Sequence, residues 1–198
     1  MKKLLLLTLV LLGGFGTASA TRDKSATIYV KADAAPQIHL WDNDGDITTW
    51  GSLPTMSSTT LNGITVYKYD VTFAGQYNFL VRNSSTSNQS SNVTNQTTDV
   101  YYYWNGESES APSYRAINWV VAGSRALTNN YEEWAGTSSN NKMTSTDDET
   151  FTLSVTSRPL KAGVTYKYKV VGDGTTWLPG SDKEITVDAD GLYDITFT

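Results

Sequence analysis

Cysteine is absent from this chain of 198 residues, and histidine occurs once, as His39. Without thiols the chain can form neither disulfide bonds nor zinc–thiolate sites, and a single imidazole cannot make a histidine metal cluster. A Cys/His pair is excluded, and a Ser/His/Asp triad could use only His39. These absences predict a protein without a cofactor, without a metal site and without catalytic activity of its own.

Charge is also scarce, at 18% of the chain, with 15 basic against 20 acidic residues and a formal net charge of −5. Nucleic acids and anionic membranes are bound by basic surfaces, so this balance argues against both as partners, whereas a neutral ligand meets no such objection. There are only 5 prolines, and aromatic residues reach 12%. This composition is too apolar for disorder and is typical of exported all-β domains.

The longest apolar run, residues 4–12, lies at the N-terminus. It follows Lys2 and Lys3 and precedes the small residues Ala18, Ser19 and Ala20. A basic start, a short apolar centre and a small-residue site are the three parts of a signal peptide, so we expect residues 1–20 to be cleaved near Ala20. The run is too short to span a membrane. An exported chain without disulfides favours a bacterial source, with the mature protein periplasmic, at the cell surface or secreted.

Ten short segments rich in β-branched and aromatic residues alternate with turn sequences, as in an antiparallel sandwich. They are residues 26–31, 37–41, 64–71, 77–82, 98–103, 117–121, 150–155, 165–171, 184–187 and 192–197. A polar stretch with a proline, residues 105–113, predicts a linker. The sequence therefore predicts an all-β protein with two immunoglobulin-like antiparallel β-sandwich modules, residues 21–108 and 109–198, after the signal peptide.

Alternation with a period of two separates core from surface in the second predicted module. The residues predicted to face the core are Phe151, Leu153, Val155, Tyr166, Tyr168, Val170, Tyr193, Ile195 and Phe197. By the same alternation Lys167 and Lys169 share the outer face. Trp104 and Trp119 are assigned to packing.

Residues 38–50 place Trp41 and Trp50 on either side of an acidic turn. Rigid indoles beside a loop suit a binding surface, because they bury much area at little entropic cost. The alternative for Trp41, at a strand end, is a core position. Asp42, Asp44 and Asp46 alternate as in a calcium loop. The pattern fails afterwards, with Ile47 and Leu53 where an EF-hand needs Gly and Glu, so a polar turn is favoured.

The first module resembles carbohydrate-binding module family 26, whose members bind starch. The residues that carry this resemblance are Tyr29, His39-Leu40-Trp41, Trp50-Gly51, Pro54, Met56, Val66-Tyr67-Lys68-Tyr69, Phe79, Arg82-Asn83, Asn95-Gln96-Thr97-Thr98-Asp99 and Tyr101-Tyr102-Tyr103. The resemblance implies a sugar platform made by Trp41 and Trp50, joined by Gln96, with His39 where the family usually has an aromatic residue. The chain departs from the family by an insertion of residues 83–95.

The second module is similar to the starch-binding domains of the Bacteroidetes outer-membrane starch-utilisation proteins E and F. The residues that carry this similarity are Val120-Val121-Ala122-Gly123-Ser124, Trp134, Met143, Phe151, Leu160-Lys161-Ala162-Gly163, Tyr166-Lys167-Tyr168-Lys169-Val170-Val171, Trp177, Pro179-Gly180 and Gly191-Leu192-Tyr193. It implies that Trp134 and Trp177 stack on a glucan and that Lys167 or Lys169 hydrogen-bonds it. Lysines on a strand are otherwise a solvated face, and Trp134 could pack under its own loop.

Together these features predict non-catalytic binding of α-glucan, which would concentrate starch or maltooligosaccharides for an amylase or an uptake system. Two alternatives remain at this stage. One is an adhesive or structural cell-surface β-module, whose aromatic residues meet protein. The other is the N-terminal part of a longer glycoside hydrolase. A glycoside hydrolase needs two carboxylates on opposite sides of the bond that it cleaves. On sequence alone the candidates for that pair are Asp42, Asp46, Glu132 and Glu133.

Overall fold

The computed structural model describes residues 21–198, so the predicted signal peptide lies outside the described residues. Within them all regular structure beyond single turns of 3-10 helix is β, which confirms the all-β prediction. No helix in this part of the chain has the length and apolar character needed to cross a membrane. The strands are β1 (Lys24–Lys31), β2 (Gln37–Asp42), β3 (Gly45–Asp46), β4 (Ser57–Leu61), β5 (Ile64–Phe73), β6 (Tyr77–Arg82), β7 (Val93–Gln96), β8 (Val100–Tyr103), β9 (Ser113–Arg115), β10 (Trp119–Gly123), β11 (Thr144–Ser145), β12 (Phe151–Leu160), β13 (Tyr166–Gly172), β14 (Thr176–Ile185) and β15 (Gly191–Phe197).

The first half is a sandwich of a five-stranded and a four-stranded sheet. The larger sheet has the order β4-β5-β1-β8-β9, and the smaller one has the order β3-β2-β6-β7. All pairs are antiparallel except β1 and β8. Alternate residues of both sheets fill one core, in which Ile28, Leu40 and Phe79 are fully buried. Trp104 lies in this core, as predicted.

The second half repeats this arrangement with two three-stranded sheets, β10-β13-β14 and β11-β12-β15. Its core takes residues from both sheets, including Val121, Met143 and Phe197. Every residue that the alternation predicted to face this core packs in it, and Trp119 packs against its edge. The reason is local. When one face of a strand is buried, a shift of one residue would move all its apolar side chains to the solvent face, so the alternation fixes which residues face the core.

All ten predicted strands are present, but five further strands were missed. These are β3, β4, β7, β9 and β11, which are two to five residues long and mostly polar. Short polar segments carry no alternation, so only hydrogen bonding to a neighbouring strand makes them β. The polar insertion of residues 83–95 therefore runs into a strand, β7.

Strand β14 is the largest correction to the sequence prediction. It begins at Thr176 rather than residue 184, so that Trp177 lies in a strand and not in a loop. Pro179 and Gly180 discouraged a strand prediction. Because β14 is an edge strand in the order β10-β13-β14, a residue without an N–H group can be accommodated there.

The two halves are in direct contact through the outer face of the five-stranded sheet. Ile64, Val66 and Tyr101 form a buried cluster on that face, and Ile117 packs against it. The Tyr101 hydroxyl donates to the Asp148 carboxylate of the second half over 2.5 Å, in a buried position. Burial raises the pKa of Tyr101 well above its usual value, and the hydrogen bond to Asp148 adds to the rise.

The stretch predicted as a linker is tied to the first half. The Trp104 indole N–H donates to the Ser110 hydroxyl at 3.0 Å, and the Ser91 amide donates to the Ser110 carbonyl at 3.0 Å. Strand β9 then pairs with β8, so the chain returns to the first sheet through Ser113–Arg115 before the second sandwich begins. The module boundary at residues 108 and 109 stays a prediction.

Tyr101→Phe should lower the free energy of unfolding by about 1 to 3 kcal/mol, because it leaves the buried Asp148 carboxylate without its donor. Urea unfolding measures the loss. Tyr103→Phe is the matched control, since Tyr103 is on the same face of the same strand with its ring partly exposed. Equal effects of the two substitutions would show that the hydroxyl bond between the halves contributes nothing.

Candidate functional site

Strand β2 directs one set of side chains into the first core and the other to the outer face of the small sheet. Ile38 and Leu40 are fully buried in the core. His39 and Trp41 alternate with them and therefore lie on the outer face. The register pairs Trp41 with Asn78 of β6, so these two side chains are neighbours on that face.

The acidic turn after Trp41 folds the chain back over this face. Asp42 is buried, and its carboxylate accepts hydrogen bonds from the Arg22 guanidinium at 2.8 Å, the Ala74 amide at 3.0 Å and the Asp44 amide at 2.9 Å. Burial raises the pKa of Asp42, but these donors outweigh it and hold the pKa below its usual value. Asp42 is thus committed to a structural ion pair, as the polar-turn interpretation expects.

The returning chain places Trp50 against His39. The amides of Ile47 and Thr48 donate to the Leu40 carbonyl, and the Thr48 hydroxyl accepts from the Leu40 amide at 2.9 Å. The ring centroids of His39 and Trp50 are 4.0 Å apart, and those of His39 and Trp41 are 5.3 Å apart. Trp50 is 46% exposed. The structure therefore brings Trp41, His39 and Trp50 together, and we call these three rings the first platform.

His39 supports the two indoles from below rather than offering a surface of its own. It is only 3% exposed, its Nδ1 lies 3.2 Å from the Thr48 hydroxyl and its Nε2 lies 3.6 Å from the Asp46 carboxylate. Burial lowers the pKa of His39, and Asp46 and Thr48 oppose this without cancelling it. The lowered pKa favours the neutral imidazole, and the buried ring packs against both indoles.

Gln96 lies away from the first platform. It pairs with Tyr77 of β6, whose ring is in the core, whereas Trp41 pairs with the next residue, Asn78. Successive residues of a strand face opposite ways, so Gln96 and Trp41 are on opposite faces of the sheet. The Gln96 amide donates to the Thr94 carbonyl. The polar side chain that does adjoin Trp41 is Asn78, which sequence reasoning missed because register is not a local property.

A second pair of indoles lies on the outer face of the sheet β10-β13-β14. Trp177 is opposite Val171, and its ring centroid is 6.4 Å from that of Trp134, with an angle of 38° between the planes. Trp134 and Trp177 are 36% and 38% exposed. Gly136 allows the approach, since a Cβ there would lie 3.0 Å from the Trp177 ring. Trp134 and Trp177 form the second platform.

The loop that carries Trp134 is held in an unusual conformation. Asn130, Tyr131 and Trp134 all have positive φ, which non-glycine residues seldom adopt. The Glu132 carboxylate accepts from the side-chain amides of Asn140 and Asn141, at 3.0 and 3.1 Å. Such backbone strain persists only where the surrounding contacts enforce it. The loop therefore holds Trp134 in one position before any ligand binds.

The two predicted lysines share the outer face with Trp177, but their ammonium groups are already paired. Lys169 donates to the Gly180 carbonyl at 2.8 Å and lies 3.5 Å from the Asp182 carboxylate. Lys167 lies 3.3 Å from the Glu184 carboxylate, and its side chain is 47% exposed, against 18% for that of Lys169. Lys167 is therefore the more accessible of the two to a ligand on this face.

The carboxylates that a glycoside hydrolase could use in the second half already have partners. Glu132 is bound to amides, and Glu133 lies 3.5 Å from the Arg125 guanidinium. No group of three or more His, Asp or Glu side chains in residues 21–198 is arranged to hold a metal ion. What the two platforms can do is bury the apolar face of a ligand and leave its rim to polar neighbours.

Comparison with known proteins finds structural likeness only. No family model matches the chain, and no curated protein matches it. It is similar to the modules CBM25-1 and CBM25-2 of the β/α-amylase from Paenibacillus polymyxa. The identities are 24% and 21% and the TM-scores 0.37 and 0.35, over 46% of this chain and 89% and 90% of those chains.

A third similar structure is CBMbc, of family CBM26, from Eubacterium rectale Amy13K, in complex with maltoheptaose. The identity is 13% and the TM-score 0.32, over 87% of this chain and 96% of that chain. At these scores none of the three structures assigns this chain to a family.

Proposed function

We propose that this chain is a non-catalytic protein that binds α-glucans of the starch type through its two platforms. The observation that carries the proposal is the pair of indoles on each half, of which Trp50, Trp134 and Trp177 are more than a third exposed. Burying such rings is the usual way for a soluble domain to gain stability. Here the indoles lie in pairs at the surface, next to the acidic turn in the first half and in the strained loop of Trp134 in the second. This arrangement favours a role in ligand binding over a role in packing.

The chemistry of the platforms suits a sugar chain. A pyranose has an apolar face of C–H groups and a rim of hydroxyls, so an indole gains dispersion and desolvation while nearby polar groups fix the hydroxyls. An α-1,4-linked chain is curved, and two rings inclined by 38°, as in Trp134 and Trp177, follow such a curve. Asn78 beside the first platform and Lys167 beside the second supply donors at the rim.

The expected affinity of one platform is modest. Stacking of a nucleic-acid base on a protein ring is worth about 1 to 3 kcal/mol, and a sugar should gain no more than that. One platform with a few hydrogen bonds then gives a Kd on the order of 10 μM to 1 mM. Two platforms on one chain bind a polysaccharide more tightly through avidity.

The biological role follows from the predicted export. With a signal peptide at residues 1–20, the mature protein would meet starch in the periplasm, at the cell surface or outside the cell. There it would concentrate the polysaccharide for an amylase or an uptake system, either as a separate protein or as part of a longer glycoside hydrolase.

Affinity electrophoresis of residues 21–198 tests this function. We expect amylopectin and pullulan in the gel to slow the protein, while dextran and cellulose derivatives leave its mobility unchanged. Pull-down on insoluble starch distinguishes this function from an adhesive role, and release of reducing sugars would reveal a hydrolase. Equal mobility in all gels would refute α-glucan binding.

A further inference from the structure

A cleft of about 690 Å³ lies between the two halves, away from the first platform. The first half contributes the segment that contains Gln96, Thr98 and Asp99, and the second contributes Asn118 and Asp173, with Tyr114 of β9 between them. The residues that line it include acidic side chains but no lysine or arginine. Its polar, cation-free lining suits a neutral hydroxylated ligand and not an anionic one.

Tyr114 is presented to this cleft as a fixed ring. It is 53% exposed, yet its edge packs on Tyr102, with centroids 5.8 Å apart and planes at 79°. Its hydroxyl donates to the Asp173 carboxylate at 2.6 Å, and that carboxylate also accepts from the amides of Ile117 and Asn118, at 3.0 and 2.8 Å. An exposed aromatic ring that is held in place in this way loses little entropy when a ligand stacks on it.

Polar groups suited to sugar hydroxyls adjoin the ring. Gln96 lines the cleft, and its amide nitrogen donates to the Thr94 carbonyl, so the amide oxygen is not used in that hydrogen bond. Asn118 is exposed at the cleft wall, and its backbone is fixed by Asp173. Amide side chains that line the same cleft as an aromatic ring can hydrogen-bond the hydroxyls of a pyranose stacked on that ring.

The cleft lies on the same side of the second half as the glycine that packs on the second platform. A neighbouring cleft of about 420 Å³ shares Asn118 and Asp173 with it and extends to Gly136. Gly136 in turn lies against the Trp177 ring. The two clefts and the second platform therefore follow one another on the second half, with Asn118 and Asp173 at the first junction and Gly136 at the second.

We propose that the cleft between the halves is a further α-glucan subsite, where Tyr114 stacks on a sugar ring and Gln96 and Asn118 bind its hydroxyls. It extends the second platform, and it rests on the proposed function. It also gives Gln96 a role in binding on the face where the structure places it, separate from Trp41. A long chain would thus be held by both halves at once, while a trisaccharide is held by a platform alone.

Isothermal titration of residues 21–198 with maltotriose and with maltoheptaose tests this subsite. Tyr114→Ala should weaken maltoheptaose binding about tenfold, the loss expected for one stacked ring, and leave maltotriose binding unchanged. Gln96→Ala should weaken maltoheptaose binding about threefold, as for one hydrogen bond. Tyr114→Phe keeps the ring but loses its hydrogen bond to Asp173, so it should weaken maltoheptaose binding by only about twofold, much less than Tyr114→Ala. Tyr103→Ala, an exposed tyrosine outside the cleft, is the control.

Thermal melting shows whether each variant is folded. If Tyr114→Ala is unfolded, the maltoheptaose affinity of Gln96→Ala tests the subsite instead. Wild-type maltoheptaose affinity in Tyr114→Ala and Gln96→Ala, or an equal loss in Tyr103→Ala, would overturn the subsite and leave the proposed function standing. A wild-type protein that binds neither oligosaccharide overturns both.

Discussion

A variant with alanine at both Trp50 and Trp177 is expected to lose α-glucan binding, with a Kd at least about a hundredfold above that of the wild type. Each substitution removes one ring from one platform, so neither half can anchor a chain and avidity is lost as well. Affinity electrophoresis in amylopectin gels measures the result. Each single variant should be weakened to a lesser degree, because the other platform remains.

Stability separates a binding role of these indoles from a packing role. Trp50 is 46% exposed, so Trp50→Ala should change the free energy of unfolding by less than about 1 kcal/mol. Trp177 packs on Gly136, and its loss should cost somewhat more. The control carries alanine at Tyr103 and Leu192, two exposed large side chains outside both platforms, one in each half. Unfolding of the first half by Trp50→Ala alone would show that Trp50 is a core residue.

Asp42→Asn should destabilise the protein by about 2 to 3 kcal/mol. The Asp42 carboxylate accepts from the Arg22 guanidinium and from the amides of Ala74 and Asp44. An asparagine places an N–H₂ group among these donors and removes the charge that pairs with Arg22. Urea unfolding at pH 7 measures the loss. Asp44→Asn, an exposed change in the same turn, should lie within about 0.5 kcal/mol of the wild type.

The Asp42 carboxylate makes the stability difference between the wild type and Asp42→Asn depend on pH. The pKa of Asp42 is lower in the folded than in the unfolded protein, so at low pH the unfolded state binds more protons. Its contribution is therefore complete above the unfolded pKa of about 3.9 and is lost as the pH falls through the folded pKa. We expect the gap between wild type and Asp42→Asn to be constant from pH 7 to about 5 and to narrow below about pH 4. A gap that is independent of pH down to acid unfolding would contradict this account.

The acidic turn has a structural role and does not resemble a calcium-binding loop. Asp42 points into the protein and anchors the turn to Arg22, whereas Asp46 lies on the other side, near His39. The turn thereby fixes where the chain returns, and so where Trp50 meets His39. The burial of Asp42 is explained by folding, and the indoles on either side of the turn are the candidates for binding.

Prediction from sequence was most successful where it depended on neighbouring residues. The alternation of Phe151, Leu153 and Val155 identified a core face, and the same alternation put Lys167 and Lys169 on the outer face with Trp177. It failed for Gln96, whose place depends on the pairing of β7 with β6. It also failed for β14, where a proline is accommodated because the strand is at an edge.

The sequence by itself determined that this protein is all-β, which faces of its strands are buried and which tryptophans are candidates for a ligand. These properties follow from residue type and from a period of two, both of which are local. Only the tertiary structure decided that His39 lies under Trp50, that Trp134 meets Trp177 across Gly136, and that Tyr114 stands in a cleft between the halves. Those contacts join residues that are not neighbours in the chain. They depend on strand register, on the path of the chain after the acidic turn and on the packing of the two halves, and no local sequence pattern encodes these.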